Sequence, residues 1–194
     1  GEDCLPEDSF KPIGREDDVR CWTGKRLIVD LSLFRAWTEE IPVEDREAYW
    51  GGRGLNGRYF LDHLVAGVTP DSPENLIVFA VGPLAGTPAP CSGWTSVSTL
   101  SPVSSPPRYA HLSLPGHWGP QLKYAGFDQL IVRGKAERPI CLLIEGEKVS
   151  FEDAKHLWGR DTVETTVTLQ EEKEDRDIEV LCIGPAGENL VSFA

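Results

Sequence analysis

Residues 76–87 read LIVFAVGPLAGT: six consecutive apolar residues, then Gly-Pro, then a second glycine. The run is short, rich in β-branched residues and flanked by turn formers, the pattern of a strand buried on both faces. Near the other end, residues 180–189 (VLCIGPAGEN) repeat the order. Two more pairs follow suit: RLIVDL at 26–31 with QLIVRG at 129–134, and Tyr49-Trp50-Gly51 with Leu157-Trp158-Gly159. Their shared order points to an internal duplication. Each Gly-Pro loop then closes the last strand of its half. Neither loop carries the G-x-x-x-x-G-K-[ST] pattern of a phosphate loop, so a tight turn is the expectation for both.

The other elements fill in around these matches. Residues 26–31 read as a strand with 35–38 as its hairpin partner, and Pro42 opens a helix with Glu44 and Asp45 in its first turn. A second helix is expected over 55–64. Residues 128–133 form a strand, 140–144 and 148–151 a hairpin across Glu145-Gly146-Glu147, and 152–157 a short helix. Asp161-Thr162-Val163-Glu164 opens a helix running to about Glu172. The charged EEKEDRD reads as a solvated loop, and 178–183 as the last strand.

Residues 82–119 differ. They are rich in Pro, Ser and Gly, and only 94–100 alternate like a strand. Such length and composition predict an irregular segment laid over the rest.

Composition excludes several classes. With 194 residues the chain suits one domain. A net charge of −12 argues against nucleic-acid or anionic membrane partners. No stretch approaches 18 consecutive apolar residues, so no spanning helix is expected. Residues 1–20 form an N-terminal extension lacking the basic and apolar regions of a signal peptide. The chain starts with Gly and contains no Met, which points to a processed start. Five cysteines, at 4, 21, 91, 141 and 182, form no C-x-x-C pair and suit a reducing cytoplasm. They also offer no run of thiolates for an iron–sulfur cluster.

Further motifs carry a resemblance. Trp22-Thr23-Gly24-Lys25, YWGGRGLNGRYF, PDSPENLIVFAVGPLAGTPAP, GPQLKYAGFDQLIVRGKAERP, DAKHLWGRDT and IGPAGENLVSFA occur in the order found in the N-terminal domain of the tungsten-containing aldehyde:ferredoxin oxidoreductases. The chain resembles that domain over about residues 21–194, with internal halves at about 21–100 and 121–194. The resemblance implies an α+β duplicated domain, two similar halves with mixed β-sheets related by a pseudo-twofold, forming a saddle as a cofactor base. In that family a tungstopterin (bis-pterin tungsten, or molybdenum) with a bridging Mg²⁺ sits on the saddle. C-terminal domains supply a [4Fe-4S] cluster, and aldehydes are oxidised to carboxylic acids with ferredoxin as acceptor.

The resemblance also places the cofactor contacts. Where the family has a Gly-Gly-Arg-Tyr run this chain has Ser92-Gly93-Trp94-Thr95, and where it has Asn-Ser-Gly-Gly this chain has Ser113-Leu114-Pro115-Gly116. Gly93, Trp94, Thr95, Ser113, Leu114 and Gly116 are the implied cofactor-binding positions, with the Ser113 carbonyl as the Mg²⁺ ligand. A guanidinium is not replaced by an indole, so Trp94 would stack on a pterin ring, or Arg108 would stand in from the longer SPVSSPPRYAHL.

Other candidates fare worse. His63, His111, His117 and His156 have no ligand-spaced partner for zinc, and no Ser-His-acid trio can be placed. Two readings follow: the cofactor base of an oxidoreductase, not catalytic alone and completed by C-terminal domains or a partner subunit, or a scaffold that kept the fold and lost the pterin site. A saddle without its covering domains is also expected to self-associate as a homodimer.

Overall fold

In the computed structural model, which describes residues 21–192, the apolar runs become neighbouring strands. The expected N-terminal extension, residues 1–20, lies outside the described residues. β1 (Lys25–Asp30) pairs antiparallel with β2 (Arg35–Glu40) and parallel with β6 (Gln129–Arg133). With β3 (Leu76–Val81), β4 (Thr95–Ser101) and β5 (Arg108–Leu114) they make a six-stranded mixed sheet in the order β2-β1-β6-β3-β4-β5. β7 (Ile140–Glu145) and β8 (Lys148–Asp153) form a separate hairpin.

Period-two alternation assigns the central strands to two cores. On one face, Ile28, Leu76, Val78 and Ile131 pack against Tyr59 and Phe60 of α2 (Gly52–His63). On the other, Leu27, Val29, Val81 and Leu130 meet Phe127 and Leu122, the latter from α3 (Trp118–Tyr124), with Leu142, Ile144, Val149 and Phe151 of the hairpin packed against them. Burial on both faces is why the runs at 26–31, 76–81 and 129–133 lack polar alternation. α1 (Val43–Tyr49) precedes α2, and a 3₁₀ turn (Lys155–Leu157) precedes α4 (Thr162–Glu172). Asp161 caps α4 by accepting the Glu164 amide at 2.8 Å, as the capping pattern predicts.

Two buried polar groups fix these layers. Asn56 of α2, fully buried, donates through Nδ2 to the Val78 carbonyl (3.0 Å) and the Ser96 carbonyl (3.1 Å), and accepts from Gln129 Nε2 at 3.3 Å. One helix residue thus ties three strands. Asp128, also fully buried, accepts the Gly24 amide at 2.7 Å and pairs with Lys123 of α3. Lys123 in turn donates to the Cys21 carbonyl at 2.8 Å and lies over the Trp22 ring.

Several expectations are corrected. Residues 82–119 are not irregular throughout, for β5 and the start of α3 lie within them. β5 is an edge strand with mostly exposed or half-buried residues, so it lacks an apolar run to announce it. The helix expected at 152–157 is the end of β8 followed by the 3₁₀ turn. Among the described residues, 178–183 join no ladder. Ile178, Val180 and Cys182 are half-buried while Glu179, Leu181 and Ile183 are exposed. The strand-like alternation is therefore real, but a strand also needs a partner. The second Gly-Pro loop is also more than a turn. Gly184 caps a one-turn helix, α5 (Pro185–Glu188), with Pro185 at its first position.

Nor do the two halves form separate sheets. β6 of the second half inserts between β1 and β3 of the first. The matched runs pair in register, Leu27 beside Leu130 and Ile28 beside Ile131, with matched residues in the same core. A twofold along the strands would send matched side chains to opposite faces, so this pair is related by translation.

Candidate functional site

At one end of the sheet β3 gives way to the Gly-Pro loop, β4 starts at Thr95 and β5 ends at Leu114. The register pairs Thr95 with Leu114 and Ser96 with Ser113. Segments 93–95 and 113–116, far apart in sequence, thus lie side by side. Their contact is close: a Cβ on Gly93 would stand 3.0 Å from the Gly116 carbonyl. α3 follows at once, and a Cβ on Gly119 would collide with Thr95 Oγ1. Glycine at 93 lets backbone meet backbone, and glycine at 119 lets α3 close onto the Thr95 side chain where three elements converge.

An open groove of about 690 Å³ lies at this junction. One wall is the loop through Gly86, Ser92, Gly93 and Trp94; another is Gly116, His117, Gln121 and Tyr124 at the start and outer side of α3. Tyr124 donates its hydroxyl to the Gly86 carbonyl at 2.6 Å, tying the walls together. The third wall is Arg176, Asp177 and Glu179, from the segment after α4. Among the described residues the lining mixes three glycines and several neutral polar side chains with a few apolar ones, one guanidinium and two carboxylates.

Of the residues expected from sequence, Gly93, Trp94 and Gly116 line this groove, and Trp94 is 49% exposed at its rim. Thr95 is buried beneath, against α3. Ser113 and Leu114 stand in the ladder just before the rim. Arg108 is not brought to the groove. It opens β5 opposite Ser101, six residues from Leu114 and so about 20 Å away along the strand.

Among the described residues, no three His, Cys, Asp or Glu side chains gather as metal ligands. His111 lies on β5 opposite Ser98; burial, then the nearby Arg53 charge, lowers its pKa. Cys21, Cys91, Cys141 and Cys182 are free thiols, and among the described residues no helix is long and apolar enough to cross a membrane. The third wall of the groove escaped the sequence reading, because nothing in EEKEDRD indicates which distant loop it faces.

Fold and groove together give a mixed-sheet α/β domain with an open groove, lined in part by glycine, at one sheet end. The sequence profile described as "Aldehyde ferredoxin oxidoreductase, N-terminal domain" matches residues 26–194, and the chain belongs to that family. It is 39% identical over 171 residues to the tungsten-containing aldehyde ferredoxin oxidoreductase of Pyrococcus furiosus, covering 88% of this chain and 28% of that protein. To the aliphatic sulfonate oxidoreductase, WOR-like subunit, of the same organism it is 33% identical over 189 residues, covering 89% and 30%. Among solved structures, a chain of the active-site complex BamBC of benzoyl coenzyme A reductase with 1,5-dienoyl-CoA superposes with a TM-score of 0.86 at 40% identity, covering 90% of this chain and 26% of that one. The chain therefore spans little more than a quarter of the length of these relatives.

Proposed function

We propose that this chain is the cofactor-base domain of a tungsten- or molybdenum-pterin oxidoreductase. The observation carrying the reading is the convergence of segments 93–95 and 113–116 on one groove within a domain of this family. The groove suits a flat polar ring with an anionic tail. Gly86, Gly93 and Gly116 let the ligand approach the backbone, Ser92 and Gln121 offer side-chain hydrogen bonds, and Trp94 offers an aromatic face at the rim. The bound metal and its pterins would supply two-electron redox chemistry, and this chain would supply position and hydrogen bonds. Ser113, one step before the rim, would present its carbonyl to a bridging Mg²⁺.

In this reading the domain does not catalyse alone. Further domains or a partner subunit bring the [4Fe-4S] cluster and cover the groove, and a ferredoxin accepts the electrons in the cytoplasm. Aldehyde oxidation is the reaction favoured by the tungsten-containing relatives. A saddle of two related halves belongs to the same proposal, supported by the ordered sequence matches. Exposed Val163, Ile183 and Leu190 are surfaces that covering domains, or a second copy in a homodimer, would bury.

A second reading, a scaffold without cofactor, is favoured by one residue: Trp94 occupies the rim where the family resemblance places an arginine. Tungsten, molybdenum and pterin quantified per chain, in protein purified from its native host, separate the two. Stoichiometric metal with pterin supports the first. Folded protein with neither supports the second.

A further inference from the structure

The loop after α4 reads as solvated charge, yet it is a built element. Gln170 spans it, donating through Nε2 to the carbonyls of Arg176 (3.1 Å) and Ile178 (3.3 Å). The Gln170 carbonyl accepts the Asp175 amide at 3.1 Å, and Asp175 accepts the Asp177 amide at 2.9 Å. Glu174, at φ 53°, turns the chain into this arrangement. The left-handed Glu174 and the Asp175-to-Gln170 backbone bond end α4 as many helices end. The two Gln170 side-chain bonds go further and fix residues 176–178, placing Arg176, Asp177 and Glu179 as the third wall of the groove. Among the described residues, Arg176 is the only Lys or Arg lining that groove.

We propose that Arg176 is the residue that binds the anionic, phosphate-type end of the groove's ligand. The proposal deepens the reading of the groove as a ligand site and rests on it. An arginine recognises a phosphate through paired N–H donors in a planar fork, which a lysine reproduces only as a point charge. The neighbouring Asp177 and Glu179 repel a bare anion, so a phosphate is held on the Arg176 side or enters with a divalent counter-ion. The guanidinium that position 94 does not provide thus comes from a different wall.

The test is calorimetric titration of the full chain with inorganic pyrophosphate, with and without magnesium. Wild type is compared with Arg176→Ala, Arg176→Gln and Arg176→Lys, and with Arg138→Ala as a control on the exposed Arg138–Asp153 pair. The expected result is saturable binding that falls roughly tenfold or more in the Ala and Gln variants and less in Lys, with Arg138→Ala unchanged. Residue 176 is exposed, so circular dichroism should show all variants folded. Wild type that binds no pyrophosphate, or Arg176 variants within twofold of it, overturns the proposal. Metal and pterin content on the same preparations keeps the two claims apart. Pyrophosphate binding that depends on Arg176 in metal-free, pterin-free native protein sinks the cofactor reading alone. Cofactor and pyrophosphate both retained by Arg176→Gln sink the Arg176 assignment alone.

Discussion

Tyr124 and Gly86 meet across the groove, the tyrosine hydroxyl 2.6 Å from the glycine carbonyl, and this bond joins α3 to the loop after β3. Tyr124 is 66% exposed, so its loss should cost little global stability, about 0.5–1.5 kcal/mol. The larger effect is local. In Tyr124→Phe, amide exchange at Ala85 and Thr87 should accelerate while that of β3 stays slow. Unchanged exchange in the loop would show that the bond does not hold the groove wall.

Asn56 should be far more costly to replace. Asn56→Ala leaves the Val78 and Ser96 carbonyls and the Gln129 amide without that partner in a dry site. A loss of roughly 2–4 kcal/mol is expected from urea unfolding. A loss under about 1 kcal/mol would mean that water replaces the side chain.

The Lys123–Asp128 pair has the asymmetry of a buried ion pair. Asp128 is fully buried and the Lys123 side chain is 11% exposed. Lys123→Met strands the carboxylate and should cost about 3–5 kcal/mol, whereas the double variant Lys123→Met/Asp128→Leu should recover part of that. The Gly24 amide loses its acceptor in the double variant, so recovery will be incomplete. Additive losses would contradict the coupling.

How much of this was legible beforehand follows from what each element rests on. β1, β3 and β6 are buried on both faces, and their unbroken apolar runs announced them; α4 was announced by Asp161 and its cap. β5 was hidden because an edge strand carrying Arg108, His111 and Ser113 has no such run. Residues 178–183 failed oppositely: their alternation is intact, but pairing depends on a neighbour that local sequence does not encode. Of the positions that the resemblance points to, Gly93, Trp94 and Gly116 line the groove, because they were placed by the matched motifs on either side of them. Arg176 was not legible, because its place in the groove is set by the Gln170 hydrogen bonds and by tertiary packing.

The thiols offer a test of the region under α4. Burial first, then Glu152, raises the Cys141 pKa, and burial raises that of Cys182. A raised thiol pKa in the folded state contributes stability that is whole below the ordinary thiol value of about 8.5 and is lost as pH rises through the folded value. Stability should therefore fall above about pH 8.5, and less steeply in Cys141→Ala. Under native conditions, iodoacetamide should label exposed Cys21 and Cys91 before Cys141, as read by mass spectrometry. Labelling of Cys141 first would contradict the packing around β7.

The most direct test of the central claim is an experimental structure of the protein isolated from its native host with whatever it carries. The account predicts a pterin–metal cofactor in the groove, contacting the backbone of Gly93 and Gly116 and facing Trp94. A cofactor seated elsewhere on the chain, or a groove filled by another protein segment, would contradict it.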